Sequence, residues 1–348
     1  KFMGNKILTS MENLILGTKF SEFHSGYRAF TLRALKSIPF IRCSNDFHFD
    51  SEVIIMLLKA GYKIIEVPIP TYYRPGTKSY VNVFTYGINC LKAAVDYRLQ
   101  LSGFMPNSKF NFPLPAKVKY TFKKTRESSH MQIASLIKKF DCRRVLDVGC
   151  AGGFLAEALG EKWKGSITGI ERDRSWNDAP GLRRYQRIVW TDLNKVNVGT
   201  LFNGELFDTV VMADILEHLK NPKRTFLQTS KLLKPRGHLV SSLPNSNFIP
   251  VFLIRKIFPH LRMANGPLDF THKHFFSIDV AREIFKADNL NTVETKTTPL
   301  PLDKISPIFS PNNLLHFFYQ AVVILARLSP NYLSYQFILI YEKKHDRI

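Results

Sequence analysis

The chain runs to 348 residues, of which 45% are hydrophobic and 22% charged. This composition excludes fibrous, low-complexity and disordered classes, and the length is enough for two domains with separate cores. The formal net charge of +21 divides as +9 over residues 1–120 and +12 over the rest, so no single basic tail carries it and attraction to polyanions or an anionic membrane face is expected.

In chain order, a helix over 1–17 precedes SEFHSGYRAF (21–30). A helix over 50–60, a short strand KIIEVPI (63–69) and a Tyr/Gly/Ser loop through Ser79 follow, then an amphipathic helix over 83–101. This region has too few strands to close a sheet alone. MPNSKFNFPLPAKVK (105–119), with three prolines and no helical period, has linker composition. We expect domains over 1–104 and 123–348, joined by a linker over 105–122. A basic run, Lys119–Arg126, leads into a helix near 128–140. From Arg144, short apolar runs alternate with helices, the signature of βαβ units and a parallel sheet. Strands are expected at 145–149, 166–170, 187–190, 207–212 and 237–242, with helices near 153–162, 222–233 and 279–287. An apolar helix over 314–328 and a last strand over 335–342 close the chain.

No apolar run reaches the roughly 20 residues that span a bilayer. Cys43, Cys90, Cys142 and Cys150 lack zinc-site spacing, which points to free thiols in a reducing compartment. A cytoplasmic location is expected, with peripheral contact at the inner membrane face.

The densest chemical signal is VLDVGCAGGF (145–154), a strand that ends in a small-residue bend opening a helix. Asp147 argues against a pyrophosphate there and suits a ligand with a cationic amino-acid end. Glu171 ends the second strand, 24 residues after Asp147, where it can accept both ribose hydroxyls. Asp192 ends the third strand, within reach of an adenine amino group. Asp214 ends the fourth, followed by ILEHLKNP (215–222).

These residues resemble the class I S-adenosylmethionine-dependent methyltransferases over about 123–348, with Ala151 where that family usually has glycine. The resemblance implies a Rossmann-like, doubly wound, mostly parallel seven-stranded α/β sheet. It places Asp147, Gly149, Cys150 and Gly152 along the methionine side of the cofactor, and Glu171 on the ribose. Asp192 and Leu193 meet the adenine, and Asp214 lies near the methyl group. An oxygen nucleophile also needs a base, for which His218, His272 and His274 are the candidates. Asp214, Glu217 and His218 match the divalent-metal spacing of ubiquinone-type O-methyltransferases, although Glu217 and His218 can equally be loop supports. LDFTHKHFFS (268–277) resembles the segment over the acceptor pocket in relatives that methylate sugars or lipid-like acceptors.

SEFHSGYRAF, SNDFHFDSE (44–52) and KIIEVPIPTYYRPGTKSY (63–80) occur in the order found in the C-terminal half of a GT-A glycosyltransferase. The resemblance is to the dolichol-phosphate-mannose-synthase-like kind. It implies that Glu22 is catalytic or metal-proximal and that Arg28, Arg74, Lys78 and Ser79 face phosphate. That family's donor-binding strands and its divalent-metal Asp-x-Asp are not in this sequence. The chain is therefore read as part of a glycosyltransferase–methyltransferase fusion whose incomplete first segment does not transfer sugar. The expected acceptor is a hydroxyl of a sugar, glycan or lipid-linked intermediate. The alternatives are a small aromatic or quinone acceptor, and a basic RNA-binding module, against which the lack of an aromatic-plus-basic motif argues.

Overall fold

A computed structural model describes residues 2–69, 81–101, 109–112, 120–257, 261, 263, 266–302, 309 and 316–345. The chain divides into two compact units. One comprises Lys1–Val118, Met263–Gly266 and Pro301–Tyr319; the other comprises Lys119–Arg262, Pro267–Leu300 and Gln320–Ile348.

In the first unit, the described residues form α1 (Phe2–Leu16), α2 (Leu32–Lys36), α3 (Phe49–Lys59) and α4 (Val83–Leu101). The α4 helix buries Cys90, Ala93, Ala94, Tyr97 and Gln100, the one-sided spacing of an amphipathic helix. Its inner face joins a core with Phe23, Ile55, Met56 and Phe110. The expected strand at 63–69 does not form. The run is extended without a ladder, and Ile65, Val67 and Ile69 are exposed. An alternating apolar pattern makes a strand only where a neighbour accepts its backbone hydrogen bonds, and no other strand occurs among the described residues of this unit. Glu66 in this run serves a different end. Its carboxylate accepts from Ser21 N–H (2.9 Å), the Ser21 hydroxyl (2.7 Å) and Glu22 N–H (3.2 Å).

The second unit is built on seven strands: β1 (Arg144–Val148), β2 (Ser166–Glu171), β3 (Arg187–Trp190), β4 (Phe207–Ala213), β5 (Leu233–Pro244), β6 (Leu290–Thr298) and β7 (Gln336–Lys343). Their order is β3-β2-β1-β4-β5-β7-β6. Strands β1 to β5 pair in parallel, and β7 runs antiparallel to both neighbours. The sequence order reverses between β1 and β4, the switch point at which open α/β sheets bind ligands. The described helices of this part are α5 (Ser129–Lys139), α6 (Phe154–Leu159), α7 (Pro222–Ser230), α8 (Ile249–Ile257), α9 (Ile278–Ile284), α10 (His316–Leu328) and α11 (Pro330–Leu333), with the first four residues of α10 falling to the other unit.

Local chemistry sets the helix starts. Ser128, Asn221 and Ser277 each accept from a backbone N–H three residues on, and Pro222 fills the first position of α7. Phe207, Phe226, Phe285 and Phe337 are buried in the main core, each stabilising the fold by about 2 kcal/mol. Four elements exceed the sequence expectation: the polar edge strand β6 and the short helices α2, α8 and α11.

Candidate cofactor and acceptor site

Asp147, Glu171, Asp192 and Asp214 lie at the C-terminal ends of β1, β2, β3 and β4, along one edge of the sheet. Their environments differ sharply.

The bend after β1 is conformationally demanding. Gly149 has φ +82°, and a Cβ there would meet the Ile215 side chain at 2.9 Å. Ala151 also has a positive φ, 45°, where an L-residue is strained and glycine is not. Gly152 lies so close to the Trp176 ring that a Cβ would meet it at 3.0 Å; its missing side chain makes room for that ring. Cys150 is buried. Glu171 holds the bend from β2. One oxygen accepts from Ala151 N–H at 2.9 Å, and the other accepts from Arg172 and Asp173 N–H, both at 2.8 Å. A carboxylate has about four lone-pair positions, so this anchored group retains capacity for a hydroxyl donor. Asp192 accepts from the Asn194 backbone and side chain at 3.0 and 2.9 Å, which outweigh a small burial effect and hold its carboxyl below the ordinary value.

Asp147 and Leu193, both expected on this side, are buried. Asp147 is only 4% exposed, and its Oδ2 accepts the Tyr185 phenol proton at 2.5 Å. Burial pushes its pKa up to about 7 against the opposing Tyr185 hydrogen bond, with the Glu171 charge adding to the rise. It lies beneath the surface, tied to Tyr185 across 38 residues of sequence. The Leu193 side chain packs into the main core. Sequence reasoning missed a run of rings beside the bend. Phe122 stacks on His130 (5.8 Å), His130 on Phe154 (5.5 Å), and Phe154 meets Trp176 edge-on (5.8 Å). Trp176, five residues past Glu171, was the visible signal.

On the β4 side, Asp214 takes φ +52°. It receives the Ser242 hydroxyl (2.7 Å), Gln336 Nε2 (3.1 Å) and Lys123 Nζ (3.2 Å). Burial alone would raise its pKa, but the Lys123 charge and these hydrogen bonds carry it well below the carboxylate range. Glu217 behaves oppositely. It is 1% exposed, its Oε2 has no hydrogen-bond partner, and burial reinforced by the Asp214 charge lifts its pKa well above the usual value.

The three histidines divide into distinct roles. The Thr271 hydroxyl donates to Asp269 Oδ1 at 2.7 Å and lies 3.0 Å from His218 Nδ1. With its proton committed to Asp269, that hydroxyl accepts from His218 Nδ1–H, which makes Nε2 the basic nitrogen. His272 Nδ1 lies 3.0 Å from the Pro267 carbonyl, and its Nε2 faces Glu217 at 3.9 Å. The two rings meet edge-on at 4.7 Å. His274 is a correction: its Nε2 lies 3.0 Å from the Leu219 carbonyl and its ring stacks on Phe276, so it clamps the loop. The expected metal set also changes. Ligand atoms of Glu217, His218 and His272 lie within 4.8 Å of one another, whereas both Asp214 oxygens are engaged elsewhere.

In the first unit, Glu22 accepts from His24 N–H at 2.7 Å. Arg28 does not present a phosphate fork: its guanidinium donates to the carbonyls of Ser25, Phe23 and Asp50 and pairs with the Asp50 carboxylate at 3.8 Å. Arg74, Lys78 and Ser79 lie outside the described residues.

The donor set of the second unit suits S-adenosylmethionine. The amide-anchored Glu171 keeps lone pairs for hydroxyl donors, and aromatic rings lie beside the helix start, where a sulfonium gains from ring contact. Residues 113–295 match the family model for a methyltransferase domain. The chain is similar to the ubiquinone biosynthesis O-methyltransferase of Alkalilimnicola ehrlichii, 30% identical over 33% of this chain and 47% of that protein. It is also similar to the enzyme of that name from Coxiella burnetii, 33% identical over 30% and 45%. The chain thus spans about half the length of the curated relatives it matches. Among solved structures it is similar to a SAM-dependent methyltransferase from Archaeoglobus fulgidus, with 17% identity, TM-score 0.40, and coverage of 62% of this chain and 95% of that one.

Proposed function

Starting from the premise that the chain belongs to the methyltransferase-domain family, we propose that its second unit is a class I S-adenosylmethionine-dependent O-methyltransferase acting on a hydroxyl of a sugar, glycan or lipid-linked intermediate. The observation that carries the O-directed reading is the His218–Thr271–Asp269 chain, which leaves one imidazole nitrogen as a base. When bound, the cofactor supplies an electrophilic methyl group whose leaving group is a neutral thioether. Glu171 and Asp192 would hold its nucleoside, and the bend at Gly149–Gly152 its amino-acid end. The chain's own task is to align the acceptor oxygen, exclude water and remove the hydroxyl proton at His218 Nε2. His272 and the buried Glu217 support that histidine from behind.

The sugar-type acceptor is supported by the order of SEFHSGYRAF, SNDFHFDSE and KIIEVPIPTYYRPGTKSY in residues 1–104, which we read as part of a GT-A glycosyltransferase. A second reading, a small aromatic or quinone acceptor handled with a divalent metal, is favoured by the Glu217–His218–His272 cluster. S-adenosylhomocysteine release is to be measured with polyprenyl-phosphate sugars and with catechols, each with and without EDTA. The leading reading expects chelator-insensitive turnover on the sugar substrates. Turnover on catechols alone, abolished by EDTA, would replace it with the second.

A further inference from the structure

Two helices of the second unit leave apolar faces uncovered. On α8, Phe252, Leu253 and Ile257 project outward, while Val251 is the one buried residue of the helix. On the last turns of α10, Ile324, Leu325 and Leu328 do the same beside buried Val323 and Ala326. These six side chains are between 48 and 75% exposed, at the one-sided spacings of a helix that buries a stripe. The two faces spring from one junction. Asn245, just ahead of α8, donates to the carbonyls of Asn331 (3.0 Å) and Ser334 (2.9 Å), just after α10. Phe248 meets Tyr335 edge-on at 5.8 Å.

Along the sequence, the segments that carry the two helices have charge of one sign, and the nearest acid at their junction, Asp279, accepts from Asn331 Nδ2 at 3.3 Å. Between Glu217 and Asp269 the chain has no Asp or Glu and nine Lys or Arg. Between Asp303 and Glu342 it again has no acid, with Lys304 and Arg327 as the cations. Lys256 is exposed in the last turn of α8, and Arg255 beside it lies 4.2 Å from the Phe275 ring centre. No described helix is long and apolar enough to cross a membrane. Exposed apolar stripes in acid-free segments, cation-rich around α8, have the chemistry of interfacial helices, which combine shallow insertion with attraction to anionic headgroups.

We propose that α8 and the C-terminal turns of α10 seat the methyltransferase unit on an anionic lipid surface. The junction places that surface beside the end of β5, so the face lies next to Ser246 and Phe276, which are joined by a 2.8 Å backbone hydrogen bond near the histidine loop. The proposal goes beyond the acceptor reading and stands whichever hydroxyl is methylated.

The test is flotation of the full chain with vesicles, without substrate. Vesicles of phosphatidylcholine with about one-third phosphatidylglycerol are expected to capture the protein, and pure phosphatidylcholine vesicles are not. The double variant Phe252→Glu/Leu253→Glu and, separately, Leu325→Glu/Leu328→Glu should weaken capture at least tenfold. Unchanged S-adenosylhomocysteine binding would show that each variant is folded. No capture of the wild type, or full capture of both folded variants, overturns the proposal. It is equally overturned if the variants instead convert a dimer to a monomer while vesicle capture is unchanged, because the face then belongs to a second copy.

Discussion

The two halves of the ligand-binding sheet edge handle carboxylates in opposite ways. On the β1–β3 side, Glu171 and Asp192 stay near solvent and are fixed by backbone amides. On the β4 side, Asp214 is neutralised by Lys123 and Glu217 is buried without a partner for one oxygen. On the proposed reading, the difference separates recognition from chemistry. Carboxylates held by amides keep their charge and geometry for hydroxyl and amino donors. On the same reading, a buried carboxyl whose ionisation burial disfavours lies beside the histidines that would carry the proton.

The largest effect should come from breaking the chemical half alone. His218→Ala is expected to lower kcat by about 10²–10⁴ while S-adenosylhomocysteine affinity, measured by calorimetry, changes less than about threefold. If affinity falls together with turnover, His218 belongs to the recognition half and the division fails.

A smaller effect concerns Asp147, the one carboxylate of the first half that is buried. Its folded pKa of about 7 exceeds the ordinary value, so folding favours the protonated form. Its stabilising contribution is fully present below about pH 4 and is lost as pH rises through about 7. Asp147→Asn should therefore flatten the fall in urea stability between pH 5 and 8, with a difference from wild type of roughly 2 kcal/mol at pH 8. Glu217 adds a slope of the same sign, so the wild-type-minus-variant difference is the readout. Parallel pH curves for the two proteins would show that Asp147 is ionised in the fold.

The smallest effect tests the bend itself. Ala151→Gly releases a strained positive φ at the cost of unfolded-chain freedom and should stabilise by about 0.5 kcal/mol, read from chemical denaturation. A loss of 1 kcal/mol or more would mean that the methyl group packs productively.

These contrasts mark what the sequence could and could not convey. Strands β1, β2, β4 and β5 were legible because parallel strands buried on both faces read as apolar runs. Strand β6, LNTVETKTT, was missed because it is an edge strand with its first turns of side chain largely in solvent, so its pattern carries little burial signal. KIIEVPI failed in the other direction: the alternation was there, but pairing is a property of the neighbour. The positions of Asp147, Glu171, Asp192 and Asp214 followed from strand-end spacing. Their charge states did not, because Tyr185 lies 38 residues from Asp147 and Lys123 lies 91 from Asp214. Only folding brings such partners together. The same holds for His272, which joins Glu217 and His218 across a loop that spacing alone could not close.

The central claim is that an amide-anchored Glu171 holds the nucleoside of the methyl donor. Calorimetric titration of S-adenosylhomocysteine into wild type and Glu171→Ala, with both shown to be folded by thermal melting, tests it most directly. The account predicts a loss of about 100-fold in affinity, or ~2.7 kcal/mol. Equal affinity for the two proteins would contradict it.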